Sequence, residues 1–281
     1  MVSYGCAKIH PLLINLMIVF PNAKINIGIN ITSRRSDGYH NIETIFYPLP
    51  IYDVLEALPG DKLTFQSSGL EIPGSVEDNL CIKGYHLIKK DHDLPPINIH
   101  LLKHIPIGAG LGGGSADAAF FIKLVNNLFN LKLTTDQMLD YARQLGADCA
   151  FFIENNPMFA FEKGDQFEPI RLDLSKYHIV LVMPPVHVST GEAYRGVKPA
   201  PVKESLYELI LEPIQEWKYF IKNDFEESVF KNHPVIRGVK AALYDAGAIY
   251  ASMSGSGASV FGIFDKKPDL SELEKTNQVF Y

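Results

Sequence analysis

The most constraining feature of this chain is a glycine-rich segment, residues 105–119, with the sequence I-P-I-G-A-G-L-G-G-G-S-A-D-A-A. Five of its residues are glycine, which costs backbone entropy and contributes no side-chain packing. An alternating apolar segment, residues 97–101, precedes it, and the segment that follows predicts a helix capped by Ser115. A strand, a glycine loop and a helix N-terminus together offer free backbone amides to a phosphate group.

Three known phosphate-binding patterns compete for this loop. A Walker A loop needs lysine before the serine, but Gly114 precedes Ser115 here. Residues 108–113 satisfy G-x-G-x-x-G, yet the chain continues into a predicted helix with a capping box at Thr134 and Gln137, not into a second parallel strand. A protein-kinase loop would place valine two residues after the last glycine, and none is there. A flexible linker is disfavoured because linkers do not lie between apolar flanks with a helix cap.

Composition narrows the function classes. The chain has 281 residues, 47% of them hydrophobic, and a net charge of −6, which suits a two-lobed enzyme or two domains. It contains no block of five or more basic residues, so we expect neither nucleic-acid nor membrane binding. Cys6, Cys81 and Cys149 form neither a C-x-x-C pair nor a zinc spacing, which favours a reducing compartment and a cytoplasmic protein.

The N-terminus carries a short apolar run, residues 11–20. It is shorter than the roughly 20 residues that span a bilayer. Only Lys8 is nearby as a positive charge and no A-x-A cleavage site follows, so a signal peptide is disfavoured. We expect translation to start at Met17 and residues 1–16 to have no structural role.

Helical and extended patterns alternate along the chain. A turn cluster at 155–157 and a predicted hairpin at 159–167 indicate a domain boundary near 155–170. The other predicted elements are a half-buried strand over 23–31, strands over 44–49, 62–66, 97–101 and 179–183, helices over 79–90, 115–127, 136–145 and 235–245, and a strand-turn-strand unit over 248–264.

Two polar segments near the N-terminus are candidates for chemistry. Lys24 and Asn26 share the polar face of the first predicted strand, although a lone strand lysine is usually solvated. Residues 34–41, R-R-S-D-G-Y-H-N, predict a turn in which Tyr39 and His40 could stack on a planar ligand and hydrogen-bond to it. An ordinary charged turn is the alternative for this second segment.

Two further segments lie later in the chain. Asp148 follows a predicted helix end, where the helix dipole does not stabilise a carboxylate, and such a local mismatch can mark a functional position. A solvent-facing aspartate is the alternative. Residues 253–259, M-S-G-S-G-A-S, predict a small-residue turn that could approach a phosphate, although taken alone it is a common β-turn.

Together these segments resemble the GHMP kinases, the family of galactose, homoserine, mevalonate and phosphomevalonate kinases. The P-x-A-K-x-N strand around Lys24, the G-L-G-G-G-S loop and the M-S-G-S-G turn look like the three signature segments of that family. Residues 34–44 and 146–152 resemble, more narrowly, the branch that acts on 4-diphosphocytidyl-2-C-methyl-D-erythritol. The resemblance runs from about Met17 to Phe264.

The resemblance implies a GHMP kinase fold of two α+β domains. An N-terminal domain like ribosomal protein S5 domain 2 would cover 17–160, and a ferredoxin-like domain would cover 161–281, with the active site between them. ATP would phosphorylate the 2-hydroxyl of the small-molecule acceptor. Mg²⁺ is expected to neutralise charge, with no protein ligand identified for it. A monomer or a homodimer is expected.

The resemblance also implies roles for individual residues. Asp148 matches the general base of the family and Lys24 matches its partner lysine. The candidate ATP-binding residues are Pro106, Ile107, Gly108, Ala109, Gly110, Leu111, Gly112, Gly113, Gly114, Ser115 and Ala116, and those proximal to phosphate are Ser254, Gly255, Ser256 and Gly257.

For the acceptor, the family sandwiches cytosine between aromatic rings. Tyr39 and Tyr194 match these rings, His40 matches the residue that reads the base edge, and Asn26 is a further candidate substrate-binding residue. Packing of a helix face is the alternative for Tyr194. Another GHMP kinase, of the homoserine or mevalonate type, is a rival, but a small acceptor needs no cytosine clamp. A non-catalytic nucleotide-binding protein would not need both the lysine and the base.

Overall fold

The computed structural model describes residues 17–281 and confirms a mixture of strands and helices. The prediction for residues 1–16 concerns a segment outside this range. Across 17–281, no helix is long and apolar enough to cross a membrane. The strands are β1 Ile18–Val19, β2 Asn22–Arg34, β3 His40–Tyr52, β4 Val54–Pro59, β5 Thr64–Gly69, β6 Ile97–Lys103, β7 Met158–Phe161, β8 Gln166–Pro169, β9 His178–Met183, β10 Tyr250–Met253, β11 Val260–Phe264 and β12 Gln278–Phe280. The helices are α1 Leu80–Ile88, α2 Gly113–Leu128, α3 Thr135–Leu145, α4 Phe151–Glu154, α5 Thr190–Arg195, α6 Leu206–Leu209, α7 Trp217–Phe220, α8 Phe225–Asn232, α9 Pro234–Asp245 and α10 Ser271–Glu274.

The strands form three four-stranded sheets, in the orders β1-β4-β6-β5, β2-β3-β7-β8 and β10-β11-β9-β12. The first two sheets come from the N-terminal part of the chain and the third from the C-terminal part. The predicted hairpin is confirmed as β7 and β8, and it extends the sheet of β2 and β3 by pairing Phe46 with Met158. The domain boundary near residue 160 stays a prediction.

The predicted strand over 23–31 is confirmed as part of β2, but its half-buried character was wrong, because β2 is buried on both faces over residues 22–29. Its apolar side chains, Ile25 and Ile27, pack into a core that includes Trp217. Its polar side chains, Lys24 and Asn26, face a second layer of protein and not water, and there they hydrogen-bond to each other. The polar side chains of this alternating strand therefore belong to a buried polar cluster.

The helix after the glycine loop begins at Gly113, so the predicted cap at Ser115 was wrong. Gly112 is the N-cap, with φ of 69° in the left-handed region, and no side chain caps the helix. Glycine suits this position because it adopts positive φ without steric cost. The first amides of α2 therefore stay free of a side-chain cap, as an anion site requires.

Other sequence predictions were confirmed or missed for local reasons. The capping box of Thr134 and Gln137 is present at the start of α3. Strands β4 and β12 were not predicted, because short apolar segments do not reveal their conformation by periodicity. Strand β5 begins at Thr64, later than the predicted start at residue 62.

Candidate active site

Lys24 is the centre of a buried polar cluster. Its Nζ donates to Asn26 Oδ1 at 2.6 Å and to the carbonyl oxygen of Gly110 at 3.1 Å. The same Nζ lies 3.4 Å from Asp148 Oδ2 and 4.8 Å from the centre of the Phe46 ring. The Lys24 side chain is 4% exposed and that of Asp148 is 34% exposed, so the carboxylate of the pair is the member that a ligand can reach.

Asp148 lies in a short 3-10 turn, Ala147–Cys149, between α3 and α4. This turn directly follows the C-cap of α3, Gly146, and the charged neighbour of Asp148 is Lys24, 3.4 Å away. Burial raises the pKa of the adjacent Cys149 thiol to about 12, so this thiol stays neutral. Burial, with a smaller contribution from the Asp148 charge, raises the pKa of Tyr194. Asp148 is thus the group at this point that is suited to accepting a proton.

The glycine loop is held against the small-residue turn of the C-terminal sheet. Ser254 Oγ donates to the carbonyl oxygen of Gly110 at 3.0 Å, and Ser259 Oγ donates to that of Ala109 at 2.5 Å. The amide of Asn26 donates to Ser254 Oγ at 3.2 Å. Gly110 has φ of 78°, and a Cβ there would overlap the carbonyl oxygen of Ser254. Two segments that are far apart in sequence therefore form one unit.

Asn223 positions that turn, although no motif in the sequence pointed to this residue. Its Nδ2 donates to the carbonyl oxygens of Met253 and Gly255, both at 2.8 Å. Its Oδ1 accepts from the Phe225 amide at 3.0 Å, and its backbone bridges to Ile29 in β2. The Asn223 side chain is buried. Through these contacts, this one residue links the small-residue turn, the start of α8 and strand β2.

Replacing Asn223 with alanine is expected to lower the free energy of unfolding by about 1–3 kcal/mol, because two buried carbonyl groups lose their donor. Chemical denaturation of the wild type and the variant measures this change. Asn127→Ala is the matched control, since Asn127 is exposed on α2. Equal unfolding midpoints for the two variants would contradict the positioning role.

Two clefts lie on either side of the glycine loop. The first has a volume of about 410 Å³ and is lined by the loop residues Pro106 to Ser115, together with Lys103 and Asp117. The second, of about 430 Å³, is lined by Lys24, Asn26, Asp148, His187, Tyr194, Gly255 and Ser256, among others. Gly108, Gly110 and Gly112 line both clefts. Ala116, Ser254 and Gly257 line neither cleft. A group bound at the loop could therefore face ligands in both clefts.

The predicted aromatic residues separate into two places. The rings of His40 and Tyr194 are stacked, with centroids 5.0 Å apart and an interplanar angle of 22°. Tyr194 also packs edge-on against Phe225 and lines the second cleft. Tyr39 is 65% exposed, lines neither cleft, and has its ring 5.7 Å from Lys163 Nζ. The structure thus brings His40 and Tyr194 together and leaves Tyr39 at the surface.

A buried triad, Asp53, Lys103 and Asp117, adjoins the first cleft and was missed in the sequence. Lys103 Nζ donates to Asp53 Oδ2 at 2.5 Å and to Asp117 Oδ2 at 2.6 Å. Asp53 Oδ1 accepts from the amides of His104 and Ile105, whereas Asp117 Oδ1 has no hydrogen-bond partner among residues 17–281. Burial raises the pKa of Asp117 to about 7, even though the Lys103 charge opposes it. The available signal was a lone carboxylate in the apolar start of α2.

Sequence models of the GHMP kinases N terminal domain and the GHMP kinases C terminal domain match residues 79–156 and 203–277. The chain is 54% identical over 264 residues to the 4-diphosphocytidyl-2-C-methyl-D-erythritol kinase of Parabacteroides distasonis, covering 94% of this chain and 97% of that protein. It is 53% identical over 262 residues to the protein of the same name from Bacteroides fragilis, covering 92% and 96%.

Solved structures of kinases are similar to this chain in fold, in agreement with the sequence matches. The crystal structure of a 4-(cytidine 5'-diphospho)-2C-methyl-D-erythritol kinase superposes with a TM-score of 0.78 at 28% identity, covering 94% of this chain and 97% of that one. A homoserine kinase from Cytophaga hutchinsonii has a TM-score of 0.63 at 15% identity, covering 100% and 96%, and shows the shared fold alone. These matches confirm the predicted GHMP kinase fold and an ATP-dependent small-molecule kinase. The chain therefore belongs to the GHMP kinase family, and within it to the group of 4-diphosphocytidyl-2-C-methyl-D-erythritol kinases.

Proposed function

We propose that this kinase transfers the γ-phosphoryl group of ATP to the 2-hydroxyl of 4-diphosphocytidyl-2-C-methyl-D-erythritol. The observation that carries the proposal is the second cleft, which Asp148 and Tyr194 both line. A carboxylate that can accept a hydroxyl proton and an aromatic ring that can stack on a base therefore face one volume. The name of the relatives that are 54% and 53% identical supports the same acceptor.

Phosphoryl transfer depends mostly on positioning and on charge stabilisation. Asp148 would take the proton of the acceptor 2-hydroxyl while the oxygen of that hydroxyl attacks the γ-phosphorus of ATP. The bond from that phosphorus to the β,γ-bridging oxygen would break at the same time, and ADP would leave. Lys24 is held by Asn26 Oδ1 and the Gly110 carbonyl, and its Nζ lies 3.4 Å from Asp148 Oδ2, where it would orient the carboxylate toward the acceptor. A compact ammonium group suits a site this closely packed.

ATP would occupy the first cleft, with its phosphates at the loop. The uncapped amides at the start of α2 and the positive end of that helix support this placement. Within residues 17–281, no group of three or more histidine, cysteine, aspartate or glutamate side chains is arranged to hold a metal. Mg²⁺ usually binds through one or two carboxylates together with substrate phosphates and waters, and we assign the expected ion no protein ligand.

Replacing Tyr194 with alanine is expected to raise KM for the cytidine-containing acceptor by about tenfold, because stacking on a base contributes about 1–3 kcal/mol. Tyr194→Phe keeps the ring and is expected to stay within about twofold of the wild type. Steady-state kinetics at saturating ATP measure both variants. If Tyr194→Ala lowers the unfolding midpoint but leaves this KM unchanged, the residue packs the helix and does not bind the base.

The rival function is a homoserine or mevalonate type of kinase, and inhibition by CMP separates it from the proposal. CMP carries the base that the second cleft would recognise but has no hydroxyl at the transfer position. We expect CMP to compete with the acceptor and not with ATP, and homoserine and mevalonate to give no ADP. Turnover of either small acceptor without inhibition by CMP would overturn the proposed substrate.

A further inference from the structure

The buried triad lies directly behind the loop that would hold the ATP phosphates. A Cβ on Gly113, the first residue of α2, would lie 3.0 Å from Lys103 Nζ. Lys103 and Asp117 also line the first cleft. When both carboxylates are ionised, the triad carries two negative charges and one positive charge. A net negative cluster therefore adjoins a site for a polyanion, which is electrostatically unfavourable at low dielectric.

The other groups that face Asp117 do not relieve this charge. Burial alone would lower the pKa of Lys103, but the charges of Asp117 and Asp53 outweigh the effect of burial and raise this pKa. The ammonium group therefore keeps its proton. Burial, with Asp117 contributing, holds the pKa of the Cys81 thiol on α1 well above its usual range, so the thiol stays neutral. Both oxygens of Asp53 accept hydrogen bonds, whereas Asp117 Oδ1 accepts none from the part of the chain that the structure describes.

We propose that Asp117 takes up one proton from solvent when a nucleoside triphosphate binds in the first cleft. The proposal rests on the placement of ATP at the glycine loop. Protonation leaves Asp53 and Lys103 as a balanced pair and removes the repulsion between the triad and the phosphates. It also turns the unpartnered carboxylate into a neutral group with an O–H donor. No covalent bond to the nucleotide forms.

This coupling determines whether nucleotide affinity rises or falls with pH. The free enzyme holds the proton on Asp117 below a pKa of about 7, and bound phosphates raise that pKa further. Nucleotide affinity is therefore highest below pH 7 and falls as pH rises through the interval between the pKa of the free enzyme and that of the complex. An Asp117→Asn variant is neutral at every pH and loses this dependence.

Isothermal titration calorimetry with a non-hydrolysable ATP analogue and Mg²⁺ tests the coupling. Titrations at pH 8 in two buffers of different ionisation enthalpy give the number of protons taken up. We expect the wild type to take up at least about half a proton more per bound nucleotide than the Asp117→Asn variant takes up. Between pH 7 and 9, wild-type affinity should fall about tenfold and that of Asp117→Asn less than about twofold. Asp93→Asn, an exposed control, should match the wild type.

The outcomes distinguish the coupling from the placement of ATP. Equal proton counts in the wild type and Asp117→Asn would overturn the coupling, as would a wild type that binds the analogue without proton uptake. The second result needs no variant, so it holds even if Asp117→Asn fails to fold. Unchanged binding to a folded Gly110→Ala variant would instead overturn the placement of ATP at the loop, and the coupling with it.

Discussion

Replacing Asp148 with asparagine is expected to lower kcat by about 10²–10⁴-fold, the usual contribution of a general base. Asparagine keeps the shape of the side chain but cannot accept the proton of the 2-hydroxyl. KM for ATP should change little, because Asp148 lines the second cleft and not the first. Steady-state and single-turnover kinetics measure the loss and separate a slower chemical step from slower product release.

Asp136→Asn is the matched control for this variant, because Asp136 is an exposed aspartate in the first turn of α3. It removes the same charge and should keep kcat. The unfolding midpoint of Asp148→Asn should fall, because the buried Lys24 ammonium loses its carboxylate partner, so kcat is compared at a temperature where both proteins are folded. A kcat within about threefold of the wild type would rule out Asp148 as the base.

Replacing Gly110 with alanine is expected to lower kcat/KM for ATP by about 100-fold or more, because small displacements at a reacting centre can have effects of this size. The added Cβ would overlap the Ser254 carbonyl oxygen, and φ of 78° disfavours any residue with a Cβ. The loop must then move, which disturbs the hydrogen bonds from Lys24 and Ser254 to the Gly110 carbonyl.

Substitution of two other glycines with alanine controls for the methyl group that Gly110→Ala adds. Gly238 is exposed in α9 with open space around it, so Gly238→Ala should stabilise the fold by about 0.5–1 kcal/mol and keep activity. Gly114 also has open space around a Cβ, so Gly114→Ala should leave the unfolding midpoint of the ligand-free protein nearly unchanged. A Gly110→Ala enzyme with wild-type kinetics for ATP would show that the contact between loop and turn does not position the phosphates.

Local signals in the sequence were enough to predict most elements of the fold. The glycine loop, the capping box of α3 and the strand-turn-strand unit near the C-terminus each depend on neighbouring residues. The order of the strands and the burial of β2 were not predictable in this way. Lys24 and Asn26 looked solvent-facing because the second layer that covers them comes from distant segments.

The residues of the active site also separate into those with a local sequence signal and those that depend on contacts between distant segments. Lys24, Asp148 and the loop lie in recognisable motifs, and the structure brings them together. Asn223 and the partners of Asp117 act through contacts between residues far apart in sequence, and single polar residues give no local sign of such contacts. The places of the two aromatic residues in the 34–41 turn also depend on tertiary packing, and neither of them lines a cleft. His40 meets Tyr194, and the adjacent Tyr39 points to the surface.

The most direct test of the central claim is phosphorus NMR of the product. The wild-type enzyme is incubated with ATP, Mg²⁺ and 4-diphosphocytidyl-2-C-methyl-D-erythritol. We predict one new phosphomonoester resonance on the 2-hydroxyl of the acceptor, with ADP formed in an equal amount and the cytidine diphosphate group intact. Failure to form this phosphomonoester, by an enzyme that still binds ATP and phosphorylates another small alcohol, would contradict the proposed function.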